Sequence, residues 1–170
     1  MASRPTTVAL IVAAGSGSRV GGAQPKQFRL VRGKPMLWHS YAALSAHPDI
    51  DQVYVAIGAG QETEAAAALT GLKEPIFVQG GATRRESVHL GLMAIAAHAA
   101  IDQVLIHDAA RPFLPSIVIE DLLDALLHAP GAVPALTVVD SLSRGTDRLS
   151  ETVERENLWR IQTPQAFAFQ

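Results

Sequence analysis

The sequence predicts an α/β fold built on a largely parallel sheet, and three observations lead there. Short apolar runs rich in β-branched residues alternate with helical stretches along the chain, the pattern of parallel strands joined by right-handed helical crossovers. The first run, residues 7–13 (TVALIVA), is apolar throughout, as expected of a strand buried on both faces, and leads directly into a glycine-rich turn. The length of 170 residues, with 48% hydrophobic content, suits one compact domain with a sizeable core.

The elements follow in order. Residues 35–46 read as a helix, because Pro35 suits a first turn and Leu37, Tyr41 and Leu44 recur at helical spacing. The run QVYVAI at 52–57 is a second strand, and residues 61–69, rich in alanine and glutamate, form a second helix closed by Gly71. Residues 75–78 make a short third strand. Thr83 suits the cap of a helix running to about His98, with Val88, Leu92, Ile95 and Ala99 on one face. The run QVLI at 103–106 is a fourth strand ending at His107-Asp108. Residues 116–127 are strongly amphipathic, with Ile119, Leu122, Leu123, Leu126 and Leu127 aligned, and residues 132–139 read as a fifth strand. Beyond it, residues 140–144 and 152–155 flank a polar stretch containing Gly145, Asp147 and Ser150, which reads as a hairpin. An isolated two-stranded ribbon is marginal in water. This arm, residues 137–157, needs a surface to pack on, and a second subunit is a natural candidate.

Composition narrows the function. The absence of cysteine excludes a disulfide scaffold, a cysteine-ligated zinc site and a thiol nucleophile. No apolar run approaches the roughly 20 residues of a membrane-spanning helix, and Arg4 followed by residues 8–14 makes a poor secretion signal, so a cytoplasmic enzyme is the expectation. A net charge of −2 argues against bulk nucleic-acid binding. That total conceals an asymmetry: residues 1–48 hold Arg4, Arg19, Lys26, Arg29, Arg32 and Lys34 and no acidic residue, so the remainder carries −8. Most of those cations follow the glycine-rich turn, a placement suited to capturing a polyanion.

In sheets of this kind ligands bind beyond the carboxyl ends of the strands. The loops at 14–27, 79–87 and 107–112 all leave such ends and can converge on one crevice. The first reads Ala13-Ala14-Gly15-Ser16-Gly17-Ser18-Arg19, where glycines let backbone N–H groups approach an anion. It is neither a Rossmann dinucleotide fingerprint nor a Walker A loop. Arg19 adds a planar donor fork and Lys26 a mobile point charge, both suited to phosphate oxygens. Asp108, closing the fourth strand, suits a magnesium ion bridging phosphates. The alternative, a cap on the next helix, is disfavoured by the intervening Pro112 and Pro115. Arg111 is placed to hold a second anion or to pair with Asp108. His107 reads as a packed or hydrogen-bonded histidine, and the six histidines form no metal-spaced pair. Gly80-Gly81 precede a helix N-terminus, which favours anions or the polar edge of a base. Ser87, in that helix's first turns, can donate to either.

Together the segments AAGSGSRVGGAQPKQF, GGATRRESV, HDAARPF and ERENLWRIQTPQAF resemble the 2-C-methyl-D-erythritol 4-phosphate cytidylyltransferase family of the non-mevalonate isoprenoid pathway, in order over nearly the whole chain. The resemblance implies a three-layer Rossmann-like nucleotidyltransferase fold with a protruding β-hairpin arm. It implies an enzyme that joins CTP to methylerythritol phosphate, with Mg2+ or another divalent cation, giving the CDP-alcohol and pyrophosphate. Carried over by position, Arg19, Lys26 and Arg155 are the catalytic residues. Ala13, Ala14, Gly15, Gly17, Gly81, Ser87, Asp108 and Ala109 bind the nucleotide, with Asp108 also on the metal. Arg111, Ser141, Arg155 and Thr163 surround the second substrate. In the family the arm crosses to a partner subunit, so a homodimer is implied. The family pattern also continues several dozen residues past the TPQ segment, with a further acidic residue for the metal and a lysine for the substrate phosphate. Neither occurs before Gln170, so the resemblance implies a single domain, residues 1–170, truncated at its C-terminus. Two rivals stand beside this reading: a cytidylyltransferase for ribitol 5-phosphate or another alditol phosphate, and a non-catalytic nucleotide-binding fragment.

Overall fold

The structure, a computed structural model, describes residues 4–15, 25–98 and 100–169. Its centre is a six-stranded sheet. Four strands are parallel neighbours: β1 (Thr7–Val12), β4 (Gln52–Ile57), β5 (Ile76–Gln79) and β6 (Gln103–Asp108). Between β1 and β4 the chain makes a small hairpin of β2 (Leu30–Val31) and β3 (Lys34–Pro35). The sheet order is β5-β4-β1-β6, followed by two later strands, β12 (Gln165–Ala168) and β7 (Gly131–Ala132).

The helices are α1 (Met36–Ser45), α2 (Glu62–Ala68), α3 (Arg84–His98) and α4 (Ser116–Ala125). Alternation along the strands sorts them into layers, because successive side chains on a strand point to opposite faces. Ala9 and Ile11 of β1, Val53, Val55 and Ile57 of β4 and Leu105 of β6 pack with Leu37, Tyr41 and Leu44 of α1, Ala65 of α2, and Ile119 and Leu122 of α4. On the opposite face Val8, Leu10, Tyr54, Ala56, Val104 and Ile106 pack with Ile95 of α3. Three layers result, with both faces of the sheet covered, as the unbroken apolar strands require. The backbone of α3 comes very close to β1: a Cβ added to Gly91 would stand 2.6 Å from a methyl of the buried Leu10. Only a residue without a side chain fits there.

Three sequence-based expectations change. Residues 132–139 are not one strand. Pro134, which has no N–H for a ladder, separates β7 from β8 (Ala135–Thr137), and β8 pairs antiparallel with β11 (Trp159–Ile161) outside the main sheet. The main sheet also contains β12, at the end of the TPQ segment; it runs antiparallel between β6 and β7. The hairpin is present but shifted, joining β9 (Leu142–Gly145) to β10 (Leu149–Val153). Large apolar side chains stand exposed on this arm and beside it: Val139 at 64% and Leu149 at 82% on the arm, and Trp159 at 57% on the adjoining β11.

Register positions the site. Val12, the last residue of β1, pairs with Asp108, the last of β6, and Ile57 of β4 pairs with Gln79 of β5. The loops leaving β1, β5 and β6 therefore begin side by side at one edge.

Candidate active site

The first loop is fixed by backbone bonds: Ala13 N–H donates to the Ala56 carbonyl at 2.8 Å. Its own carbonyl accepts from Nε2 of Gln27 at 2.6 Å. Gln27 is only 4% exposed, so a buried amide ties the short 3-10 turn Lys26–Phe28 to the end of β1. The turn that carries Lys26 is thereby held beside the end of β1 by its neighbour in sequence. Gly15 is exposed, with open space where a Cβ would be. Gly17 and Arg19 lie outside the described residues.

The loop after β5 touches the first loop directly. A Cβ on Gly80 would lie 2.4 Å from the Ala14 Cβ and 3.0 Å from the Ser87 hydroxyl. Gly80 N–H is held by the Ile57 carbonyl at 2.8 Å. Ser87 is buried, and its hydroxyl accepts from Gly81 N–H at 3.1 Å while donating to the Thr83 carbonyl at 2.9 Å. Ser87 here braces the turn from within rather than presenting itself to solvent. Thr83 caps α3 as expected, accepting from Glu86 N–H at 3.1 Å, and the Glu86 carboxylate accepts from Ala82 N–H at 2.8 Å. These two bonds, a variant of the capping box in which the glutamate reaches one residue further back, fix the helix start. The N–H groups of Gly81 and Ala82 are thus both engaged within the loop in this state.

The third loop carries the charge. Asp108 Oδ1 accepts from Arg84 Nε at 2.8 Å, and Asp108 Oδ2 lies 3.8 Å from Arg111 Nε. Arg111 Nη1 also donates to the Gln162 side-chain oxygen. Of the two roles open to Arg111 in the sequence, pairing with Asp108 is present. Asp108 N–H donates to the Thr163 hydroxyl at 3.2 Å, which joins the TPQ segment to the end of β6. Ala109 is buried, its N–H bonded to the Val12 carbonyl at 3.2 Å and its carbonyl to the Ser40 hydroxyl at 3.1 Å.

His107 is fully buried and hydrogen-bonded on both ring nitrogens, to the Arg111 carbonyl at 3.1 Å and to the Thr163 hydroxyl at 3.2 Å. Burial drives its pKa down to about 4, against the opposing pull of its bond to Arg111 and of the Asp108 charge. The neutral ring faces a carbonyl through Nε2, so the proton belongs on Nε2 and Nδ1 accepts from Thr163. A directional chain results, from Asp108 N–H to Thr163 to His107 to the Arg111 carbonyl.

Most of the candidate residues meet at this edge. Ala13 and Ala14 meet Gly80 and Ser87; Asp108, Ala109, Arg111 and Thr163 form a second group, linked to the first through β1 and β6. Ser141 and Arg155 do not join them. Both are exposed on the arm, where Arg155 donates to the Val139 carbonyl, and among the described residues neither is an ion-pair or hydrogen-bond partner of Asp108. Sequence reasoning missed Arg84, Gln27 and Ser40. Arg84 and Gln27 sit inside motifs that were read for their neighbours; Ser40 lies in a helix whose apolar face alone was read.

No group of three His, Asp or Glu side chains able to hold a metal occurs among the described residues. A lone carboxylate still fits magnesium, which usually takes one or two carboxylates together with substrate phosphates and water. Asp108 suits that donor set: its side chain is 32% exposed, and Oδ2 has only a long ionic contact.

Glycine-containing turns and a cluster of two arginines and one aspartate, rather than a nucleophile and its base, lie at this edge of a mostly parallel sheet covered by helices on both faces, and the fold is a Rossmann-like nucleotidyltransferase fold. Residues 7–170 match the profile of the family described as IspD, 2-C-methyl-D-erythritol 4-phosphate cytidylyltransferase, and the chain belongs to that family. It is 54% identical over 167 residues to the bifunctional enzyme IspD/IspF of Rhizorhabdus wittichii, an alignment covering 98% of this chain and 43% of the relative. With the 2-C-methyl-D-erythritol 4-phosphate cytidylyltransferase of Cereibacter sphaeroides it shares 44% identity, over 97% of this chain and 74% of the relative. The crystal structure of the enzyme of that name from Thermus thermophilus superposes with a TM-score of 0.75 at 35% identity, covering 95% of this chain and 70% of that one. The chain spans less than half the length of the bifunctional relatives it matches.

Proposed function

We propose that this chain transfers a cytidylyl group from CTP to 2-C-methyl-D-erythritol 4-phosphate, releasing pyrophosphate, in isoprenoid precursor synthesis. The observation that carries this reading is the convergence of the turns after β1, β5 and β6 on one edge, with Asp108, Arg84 and Arg111 clustered there. Family membership supports the substrate pair.

The substrate phosphate is itself the nucleophile. A phosphate monoester with a second pKa near 6 is largely dianionic at neutral pH, so its oxygen attacks the α-phosphorus of CTP without a general base. The bond to the β-phosphate breaks, and pyrophosphate leaves with the electron pair. The state of His107 agrees, because a buried neutral imidazole with both nitrogens engaged is no proton acceptor for a substrate. The remaining task is to bring two polyanions together and to stabilise the leaving charge, which is done by positioning and electrostatics.

In this reading Ala13, Ala14, Gly15, Gly17, Gly81, Ser87 and Ala109 surround the nucleotide, and Arg19 and Lys26 face the triphosphate. Asp108 holds magnesium, which supplies positive charge to the phosphate oxygens when bound. Arg111 and Thr163 border the methylerythritol phosphate. Ser141 and Arg155 serve a partner's site through the arm, whose exposed Val139 and Leu149, with Trp159 of the adjoining β11, favour burial in a homodimer. No helix among the described residues is long and apolar enough to cross a membrane, and CTP is a cytoplasmic metabolite, so the proposed location is the cytoplasm.

The test is pyrophosphate release from CTP. It is expected only when methylerythritol phosphate and magnesium are both present. Release with ribitol 5-phosphate in its place, or CTP binding without any release, would replace this reading.

A further inference from the structure

Arg84 has no part in the reaction as described above, yet it makes the shortest contact to Asp108. It is the first residue of α3, immediately beyond the glycine turn, and its Nε donates to Oδ1 of a carboxylate 24 residues away in sequence. Arg111 stands at the other oxygen. One negative charge therefore faces two guanidinium groups, and the cluster is net positive before any ligand arrives. The three side chains are partly exposed, 49% for Arg84, 41% for Arg111 and 32% for Asp108, so the pairing is open to exchange. The backbone of Asp108 stays pinned through its N–H to Thr163.

A divalent cation approaching Asp108 alone would meet two fixed positive charges and would compete with Arg84 for Oδ1. A cation arriving on a triphosphate brings excess negative charge, which offers the displaced guanidinium a partner with matching geometry. We infer that Arg84 is a placeholder for the divalent cation: it keeps Asp108 closed to free metal and yields it to metal carried by the nucleotide. The inference rests on the reading of Asp108 as the metal carboxylate. Arg84 acts here through Asp108, as a positioning residue, and it makes the metal–nucleotide complex the entering species.

The experiment uses the whole chain and Mn2+ as probe, with binding followed by water-proton relaxation in the absence of nucleotide. Arg84→Gln should tighten Mn2+ binding about two- to five-fold, the range expected for removing one partly exposed ionic competitor. Arg84→Lys, which keeps the charge, should stay near the wild type, a distinction that a purely structural role would not produce. In the wild type, the Arg84 Nε–H resonance should shift when Asp108 is changed to Asn and again when Mg2+ and CTP are added together, but not with Mg2+ alone. Equal Mn2+ affinity in wild type and Arg84→Gln, a tightening that persists when Asp108→Asn is added, or bound CTP with an unmoved Arg84 signal would each overturn the placeholder role alone. If Asp108→Asn leaves binding of Mn2+ and CTP together unchanged, the metal reading of Asp108 fails as well.

Discussion

Gly80→Ala separates the two loops that form the nucleotide side of the site. The added methyl would lie 2.4 Å from the Ala14 Cβ and 3.0 Å from the Ser87 hydroxyl oxygen. Carbon atoms in contact prefer about 3.5–4.0 Å, so more than about 1 Å of movement is required. No side-chain rotation can supply it. Alanine has no rotamer to change, and the Ser87 hydroxyl is held by Gly81 N–H and the Thr83 carbonyl. The backbone of residues 13–15 or 80–83 must move instead. Overpacking of this kind costs about 1–3 kcal/mol, and misplacing a site by about 1 Å costs on the order of a hundredfold in rate. Urea unfolding and the initial rate of pyrophosphate release measure the two effects separately. Gly15→Ala, which meets nothing within 4 Å, is the control for stability and should leave the unfolding midpoint in place. A Gly80→Ala protein with an unchanged midpoint would refute the close contact. One that is destabilised but turns over at the wild-type rate would refute the coupling of the two loops to the chemistry.

Other expectations can be checked alongside. Asp108→Asn should lower turnover by two to three decades, equivalent to about 3–4 kcal/mol of barrier, while urea stability moves by about 1 kcal/mol or less because its ion pairs are partly exposed; a rate within threefold of wild type would remove Asp108 from the mechanism. Arg19→Ala should reduce the rate at saturating substrate by about two decades, and a change confined to KM would deny it a transition-state role. Mixing inactive Lys26→Ala and Arg155→Ala subunits should restore activity if arms cross between subunits, whereas verified exchange without rescue would show that they do not. His107 governs acid stability. Its pKa is about 4 in the folded chain, below the ordinary 6.5, so as pH falls the unfolded chain takes up the proton first. Stability is therefore intact above about pH 6.5 and declines toward pH 4 by on the order of 3 kcal/mol. His107→Asn should flatten that decline in urea unfolding, and equal slopes would contradict the buried neutral imidazole.

The sheet and its helices were largely readable in the sequence because their signals are local. An apolar run such as that of β4 admits one description, and Thr83 with Glu86 carries its cap within four residues. The misread parts depend on partners far away. β12 is a short segment whose place between β6 and β7 is set by tertiary pairing, and the run at 132–139 is apolar on both sides of Pro134 although its two halves pair in different sheets. The site divides in the same way. Asp108 and the glycine turns announce themselves by composition and by their position after strands. Arg84 does not, since its meaning comes from a carboxylate on another loop, and one arginine beside another carries no mark of which reaches across. Ser40 was invisible for a similar reason: a buried hydroxyl that ties α1 to the Ala109 carbonyl looks like any helical serine.

The most direct test is a crystal structure of this chain with CTP and magnesium. The triphosphate should lie between residues 13–15 and Gly81, with the metal on Asp108 and the Arg84 guanidinium turned from that carboxylate to a phosphate oxygen. A nucleotide seated elsewhere, or a metal bound without Asp108, would contradict the account at its base.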